Sequence, residues 1–252
     1  MKIIATHVKL ITLFLIFYSY SFHVQALTWQ DLEHTKGPST GNILDRATIK
    51  IKKNQQYYNE ESSKKYNEIV QNIQHGRENI LQGIGWAAFF TFLEEGYIKD
   101  EEELNANELL KQTQKDEVEQ NKFRKEKGWA LMKTKGWFYE PRYNSNTNQL
   151  EWAFLIQTNE GDLVNYNTRI LARNGYMRVV VAVTPDNFSS NISDIKSALK
   201  SVTFNAGEKY SDFKQGDRVA EYGLAALVAG GAAAVATKKG FWALIAGFFG
   251  AA

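Results

Sequence analysis

Residues 149–184 read QLEWAFLIQTNEGDLVNYNTRILARNGYMRVVVAVT and have the alternation and turn residues of consecutive β-strands. Two turn signals, at 159–162 and at Asn174-Gly175, divide this stretch into three runs rich in aromatic and β-branched residues. An Asn-Gly pair between two alternating runs is the strongest short-range signal of a β-hairpin. A fourth run lies upstream, and consecutive hairpins form an antiparallel sheet. The predicted strands are 135–141, 149–158, 162–173 and 176–184.

Helical patterns and further β patterns precede and follow these strands. Tyr66, Ile69, Val70 and Ile73 form one apolar stripe of a helix over 59–74. A second helix is predicted over 107–125 with Asn107 as its N-cap, and a short third helix over 193–200. Residues 47–52 alternate like a half-buried strand, and 84–93 suit either a central strand or two strands bent at a bulge. The sequence therefore predicts an α+β fold in which helices flank an antiparallel sheet.

The N-terminus has the pattern of a secretory signal peptide. Lys2 and Lys9 precede an apolar run from Leu10 to Phe22, and Ala26 is a small residue after which a signal peptidase can cut. The run is shorter than the roughly 20 residues of a membrane-spanning helix, which favours cleavage over an uncleaved anchor. We therefore predict a signal peptide over 1–26, a polar linker over 27–41 and an extracytoplasmic domain over 42–218.

The C-terminal segment, residues 219–252, is predicted to form a membrane-associated helix. Residues 222–236 and 240–252 are uncharged, and Lys238-Lys239 lies between them. Three arrangements fit: one span that ends at the lysines and is followed by an interfacial tail, a helical hairpin, or a buried core helix of a soluble domain. Small residues at four-residue spacing either bring two membrane helices together or arise by chance in an Ala- and Gly-rich helix. The residues assigned to this segment are Gly223, Ala226, Gly230, Gly231, Ala234, Lys238, Lys239 and Trp242.

Composition restricts the chemistry. The formal net charge is +2 with both signs interspersed, so the broad positive footprint of a nucleic-acid binder is missing. The chain has no cysteine, and only His34 and His75 follow the predicted cleavage site, which is too few for a His-based triad or a multi-histidine metal site. Neither a phosphate-binding glycine loop nor a nucleophile elbow is present. The prediction is no cofactor, no metal site, no catalytic residue and no nucleic-acid partner.

One strand carries the strongest candidate for a binding site. On the third predicted strand of the β region, Asn165, Asn167 and Arg169 share one face, because side chains alternate across a strand. Arg142 and Tyr143 are expected near one end of this row. Two arginines there would hold a carboxylate or phosphate while the amides orient it. The alternative is a polar outer face of the sheet, or amides that tie a helix to the sheet.

Several separated motifs resemble one family of bacterial proteins. They are Gly136-Trp137, Glu140-Pro141-Arg142-Tyr143, Leu150-Glu151-Trp152, Val164-Asn165-Tyr166-Asn167, and AEYGLAALVAGGAAA at 220–234. Their order is similar to that in the domain-of-unknown-function family 2167. The resemblance covers the chain from about Gly37 onward. The resemblance implies an exported domain with a C-terminal membrane segment, and it brings no established activity, ligand or catalytic residue. The order of elements is also similar to the antiparallel sandwich of the Mog1/PsbP type, which is an analogy of fold alone.

Together with the shortage of catalytic groups, this architecture predicts a non-enzymatic, membrane-tethered binding or envelope-interaction module. The domain is expected on the periplasmic side of a bacterial inner membrane. Its expected partners are membrane lipid and either a second copy of the chain or another envelope protein. Two alternatives stay open: a hydrolase-type enzyme that uses Arg, Glu, Asp and Tyr groups, and a soluble exported ligand-binding domain.

Overall fold

A computed structural model gives the fold and describes residues 28–70, 72–74, 76–159 and 161–229. The predicted signal peptide lies outside the described residues. The helices are α1 (Glu60–Ile69), α2 (Ala106–Glu126), α3 (Pro185–Lys200) and α4 (Leu224–Val228), with short 3-10 helices at Trp29–Asp31 and Tyr210–Asp212. The strands are β1 (Thr35–Lys36), β2 (Ser39–Ile43), β3 (Ala47–Ile51), β4 (Gln56–Tyr58), β5 (Asn79–Gly83), β6 (Trp86–Leu93), β7 (Lys133–Asn144), β8 (Gln149–Thr158), β9 (Gly161–Ala172), β10 (Gly175–Val183) and β11 (Thr203–Phe204).

Eight strands form one antiparallel sheet in the order β1-β4-β5-β6-β10-β9-β8-β7. The four consecutive strands predicted between 135 and 184 are confirmed as β7 to β10. Residues 84–93 contain a turn at Ile84-Gly85 followed by the central strand β6. The hairpin between β9 and β10 requires glycine at 175, because φ is +157° and a Cβ there would lie 1.9 Å from the Leu93 carbonyl oxygen. The predicted α+β fold with helices flanking an antiparallel sheet is confirmed.

One face of this sheet, called the α3 face below, is covered by α3 and by a second sheet of order β11-β3-β2. Ile49 of β3 and Ile195 of α3 are fully buried against Phe90, Val179 and other apolar side chains of the main sheet. α3 begins at Pro185, earlier than the predicted 193, since the Thr184 side chain caps the helix and proline fits its first turn. The main hydrophobic core therefore lies between the two sheets.

The opposite face, called the α1/α2 face below, carries two further apolar clusters. Tyr66 of α1 packs with Phe89 of β6, while Leu109 of α2 and Leu227 of α4 belong to a cluster around Trp152 of β8. Two predicted helix ends need correction. α1 ends at Ile69, well before residue 74. The N-cap of α2 is Asn105, whose side chain accepts from the Glu108 N–H, and the predicted cap Asn107 lies inside the helix.

Part of the predicted linker 27–41 is structured. β1 pairs with β4, and β2 pairs with β3 over Ser39–Ile43. The Gly37 N–H also donates to the Gln55 carbonyl at 3.1 Å. The breaker residues around Pro38 therefore form the turn between β1 and β2. Local composition does not reveal these short strands, because the partners of their backbone hydrogen bonds are distant in sequence.

The first part of the predicted membrane segment belongs to the folded domain. The Ala220 N–H donates to the Tyr97 carbonyl at 2.9 Å, and α4 buries Leu224, Leu227 and Val228 in the cluster around Trp152. Of the three arrangements, the buried core helix fits residues 224–228. Across 28–229, apart from the three undescribed positions, no helix is long and apolar enough to cross a membrane.

Of the residues assigned to the membrane segment, two are described. Gly223 immediately precedes α4, where an added Cβ would lie 2.4 Å from the Glu102 carboxylate, and Ala226 is half-buried within the helix. The other assigned residues lie outside the described residues; they are Gly230, Gly231, Ala234, Lys238, Lys239 and Trp242.

Candidate functional site

The structure brings together three of the five predicted site residues and separates the other two. Asn165, Asn167 and Arg169 share the α1/α2 face, as the alternation of β9 predicts. Leu150 of β8 lies opposite Arg169 and therefore shares its face. Arg142 lies opposite Glu151, the next residue of β8, so its exposed side chain lies on the other face, the α3 face. The predicted groove between Arg142 and Arg169 is therefore absent from this part of the sheet.

Tyr143 lies on the α1/α2 face but does not contact Arg169 through a hydrogen bond. It pairs with Leu150, which separates it from the strand of Arg169. Its hydroxyl donates to Asp100 Oδ2 at 2.7 Å, and burial raises the pKa of the phenol above its ordinary value. Tyr143 thus ties the edge strand β7 to the loop before α2.

A polar row crosses the centre of the α1/α2 face. Arg169 of β9 lies directly opposite Arg178 of β10, and Arg178 lies opposite Thr91 of β6. The Thr91 hydroxyl donates to Oε1 of Glu78, the residue immediately before β5, at 3.1 Å. We call Arg169, Arg178, Thr91 and Glu78 the arginine row. Opposed residues of antiparallel strands have Cβ atoms about 4.5–5.5 Å apart, so the two cationic side chains are direct neighbours.

Arg169 is the most unusual member of the row. It is only 5% exposed, its guanidinium carbon lies 4.6 Å from the centroid of the Trp152 ring, and Nη1 donates to the Thr168 carbonyl at 3.1 Å. Its buried Nε has no hydrogen-bond partner. Burial, and then the nearby charge of Arg178, lower the pKa of Arg169 to about 9, so the group stays charged at neutral pH.

Glu78 supplies the negative charge of the row. It is 1% exposed and accepts a second hydrogen bond, at 2.6 Å, from Asn67 Nδ2 of α1. Burial raises the pKa of Glu78, while the hydrogen bonds and the charge of Arg178 oppose that rise. Burial in turn lowers the pKa of Arg178, and Glu78 opposes that fall. Glu78 therefore acts as a counter-ion for Arg178.

A cleft of about 360 Å³ lies between the C-terminal ends of α1 and α2. Asn72 on its wall donates to Asn67 Oδ1 at 2.6 Å, and Asn67 donates to Glu78, so hydrogen bonds join the cleft to the arginine row. The ring of Trp129 meets Phe123 edge to face at 6.0 Å. The lining residues are Lys64, Asn67, Glu68, Asn72, Ile73, Gln74, Phe123, Lys127 and Trp129.

Two other polar regions lie away from the arginine row. A larger depression of about 590 Å³ at the start of α2 is lined by Glu103 and Glu140 but contains no member of the arginine row. On the α3 face, Glu151 accepts from the Tyr166 hydroxyl at 2.9 Å and from Lys196 Nζ at 3.2 Å, which satisfies both carboxylate oxygens. Among the described residues, no three His, Asp or Glu side chains are grouped to hold a metal ion.

Arg178 and Glu78 were not among the site residues predicted from the sequence. The signal for Arg178 was available, because the Asn174-Gly175 hairpin sets a register in which position 178 faces 169. Glu78 carried no comparable signal, since β5 is short and was not predicted. Its partner Asn67 lies on α1, and no local pattern indicates that this helix packs over β5.

The fold and the site define an α+β domain with a large antiparallel sheet whose helix-covered face holds a cleft and buried charges. The chain belongs to the family described as "Protein of unknown function (DUF2167)", whose model matches residues 35–252. No curated protein matches the chain. Among solved structures it is similar to cyanobacterial PsbP (CyanoP) from Synechocystis sp. PCC 6803, with a TM-score of 0.39 and 9% identity, over 69% of this chain and 92% of that one.

Proposed function

We propose that this chain is an exported binding module of the bacterial cell envelope, held at the inner membrane with its domain on the periplasmic side. The signal-peptide pattern over 1–26 supports export. In this proposal the domain acts by binding an envelope component, without catalysing a reaction.

The observation that carries the binding proposal is the cleft between α1 and α2. Its walls combine side-chain amides, the aromatic rings of Phe123 and Trp129, and the ammonium groups of Lys64 and Lys127. Small-molecule sites typically combine apolar surface with a few polar groups that fix orientation, and volumes start near 300 Å³. The two lysines outnumber Glu68, so a ligand with hydroxyl groups and negative charge suits this lining.

Membrane attachment is assigned to residues 230–252, because residues 219–229 are part of the domain. The remaining stretch is uncharged apart from Lys238 and Lys239, which lie near its middle. A lysine at the centre of a spanning helix costs about 2.5–3.5 kcal/mol, so two of them oppose a span. An apolar segment with a basic pair and with Trp242 suits attachment at the lipid surface.

The first prediction concerns location. We expect the full chain to stay with membranes through a high-salt wash and a chain that ends at Ala229 to be released by that wash, because truncation removes the apolar tail but leaves α4 in place. A periplasm-active reporter fused after Ala229 is expected to be active, and deletion of 1–26 to abolish that activity. A chain ending at Ala229 that stays with membranes through the wash would place the attachment elsewhere, and an inactive reporter would contradict export.

The second prediction concerns the cleft. The chain ending at Ala229 is expected to bind purified envelope fraction, and Trp129→Ala to weaken that binding about tenfold, as truncation of an aromatic anchor does. Sedimentation at increasing amounts of envelope measures the affinity. Val118→Ala, an exposed apolar position on the outer side of α2, is the matched control and is expected to bind normally. Equal binding by both variants would show that the cleft is not the contact site.

A further inference from the structure

We propose that Arg169 and Arg178 together bind one anionic group, a carboxylate or a phosphate, on the α1/α2 face. The inference rests on the proposed function, because it names the chemical class of ligand for a domain that acts by binding. It replaces the predicted pairing of Arg169 with Arg142 by a pairing that the strand register supports.

The charge balance of the arginine row calls for an anion. The row holds two guanidinium groups and one carboxylate, and Glu78 is engaged by Asn67 and Thr91. Within the part of the chain that the structure describes, neither arginine has a carboxylate at ion-pair distance, so Glu78 acts on Arg178 only at longer range. Neighbouring cations repel each other, and an anion bound between them adds two attractive interactions that outweigh this repulsion.

The hydrogen-bonding groups are also incomplete without a ligand. The Nε of Arg169 is buried and has no acceptor, whereas buried polar atoms in folded proteins nearly always have one. Stacking on Trp152 and Tyr176 fixes the plane of the guanidinium, with ring centroids 4.6 Å and 5.9 Å from its central carbon. A fixed guanidinium presents parallel donors to a carboxylate or phosphate, which is the geometry of bidentate recognition.

Arg178 provides the access to this pair. The cluster of α1 includes residues of β4 to β6, and the cluster of α2 and α4 includes residues of β8 and β9 and reaches Tyr176 at the start of β10. Beyond Tyr176, this face of β10 is less covered. Along that part of the face Arg178, Val180 and Asn165 are half-buried, and Ala182 is exposed. An anion that approaches along β10 meets Arg178 first and then Arg169.

Removal of the charge of Glu78 is expected to strengthen anion binding. Arg178 lies between Arg169 of β9 and Thr91 of β6, and Glu78 accepts from the Thr91 hydroxyl. Its carboxylate therefore acts on Arg178 from the side away from Arg169 and competes with an incoming anion for that cation. Glu78→Gln keeps groups that can bond Asn67 and Thr91 but removes the charge. The variant is therefore expected to bind anions more tightly than the wild-type chain, which a purely structural role for the row does not predict.

The experiment measures binding of inorganic phosphate and of succinate to the full chain in a non-ionic detergent, by calorimetry at constant ionic strength. We expect Arg178→Gln and Arg169→Met to raise the dissociation constant about tenfold or more, the loss of affinity typical of one charged hydrogen bond. Glu78→Gln is expected to tighten it severalfold. Arg142→Gln, an exposed arginine on the opposite face, is the matched control and is expected to bind like the wild type.

A parallel measurement separates a free anion from a lipid headgroup. Flotation with phosphatidylglycerol vesicles is compared with flotation with phosphatidylcholine vesicles, for the wild type and for Arg178→Gln. Vesicle binding that requires both the anionic lipid and Arg178 supports the site with a headgroup as ligand, and binding of phosphate or succinate supports it with a free anion. The inference is overturned if Arg178→Gln and Glu78→Gln change neither measurement. A chain that still binds envelope through the cleft in that case leaves the proposed function intact.

Discussion

A chain that ends at Arg218, the predicted boundary of the domain, is expected to be less stable than one that ends at Ala229 by roughly 5 kcal/mol or more. Truncation at 218 removes Leu224, Leu227 and Val228, which are at most 6% exposed in the cluster around Trp152. Burying one such side chain contributes about 1.5–3 kcal/mol. The free energy of unfolding of a whole domain is about 5–15 kcal/mol, so a loss of this size is expected to leave the shorter chain largely unfolded.

Urea denaturation followed by circular dichroism measures this difference. The chain ending at Ala229 is the reference, and the full chain is expected to match it in unfolding midpoint. Leu227→Ala in the full chain tests the same contact without truncation and is expected to cost about 2–5 kcal/mol. Equal stability of the chains ending at 218 and 229 would show that α4 is not part of the core.

Arg169→Met is expected to stabilise the protein by about 1–2 kcal/mol, because replacing a buried charge with an apolar side chain of similar length removes its desolvation cost. The gain is limited by two losses. The stacking on Trp152 contributes up to about 2 kcal/mol, and the hydrogen bond from Nη1 to the Thr168 carbonyl about 1 kcal/mol. A binding residue that lowers stability is common at functional sites.

The free energy of unfolding of Arg169→Met is compared with that of Arg142→Met, in the same buffer and without added phosphate. Arg142 is exposed on the α3 face, so its replacement is expected to change stability by less than about 0.5 kcal/mol. The pKa of Arg169 is depressed in the fold, so its cost is present below pH 9 and declines at higher pH. The advantage of the Met variant is expected to shrink accordingly. A loss of stability at pH 7 would instead mean that the guanidinium holds the fold together.

Much of the sheet could be predicted from local sequence. Strand alternation placed Asn165, Asn167 and Arg169 on one face, and the Asn174-Gly175 turn defined the hairpin of β9 and β10. Side-chain period and turn chemistry are properties of neighbouring residues, so they are readable without the fold. The short strands β1, β2, β4 and β5 were missed because their hydrogen bonds come from distant partners.

The fold class, the four long strands and the faces to which their side chains point follow from local sequence patterns. The sequence does not show that Arg178, and not Arg142, is the neighbour of Arg169. Arg178 lies on the adjacent strand and the same face as Arg169, whereas Arg142 lies on β7 and the opposite face, and these positions depend on the strand pairing. The tertiary structure also decided the place of residues 219–229. An Ala- and Leu-rich segment has the same composition whether lipid or a protein core covers it, and only its contacts with Trp152 distinguish the two environments.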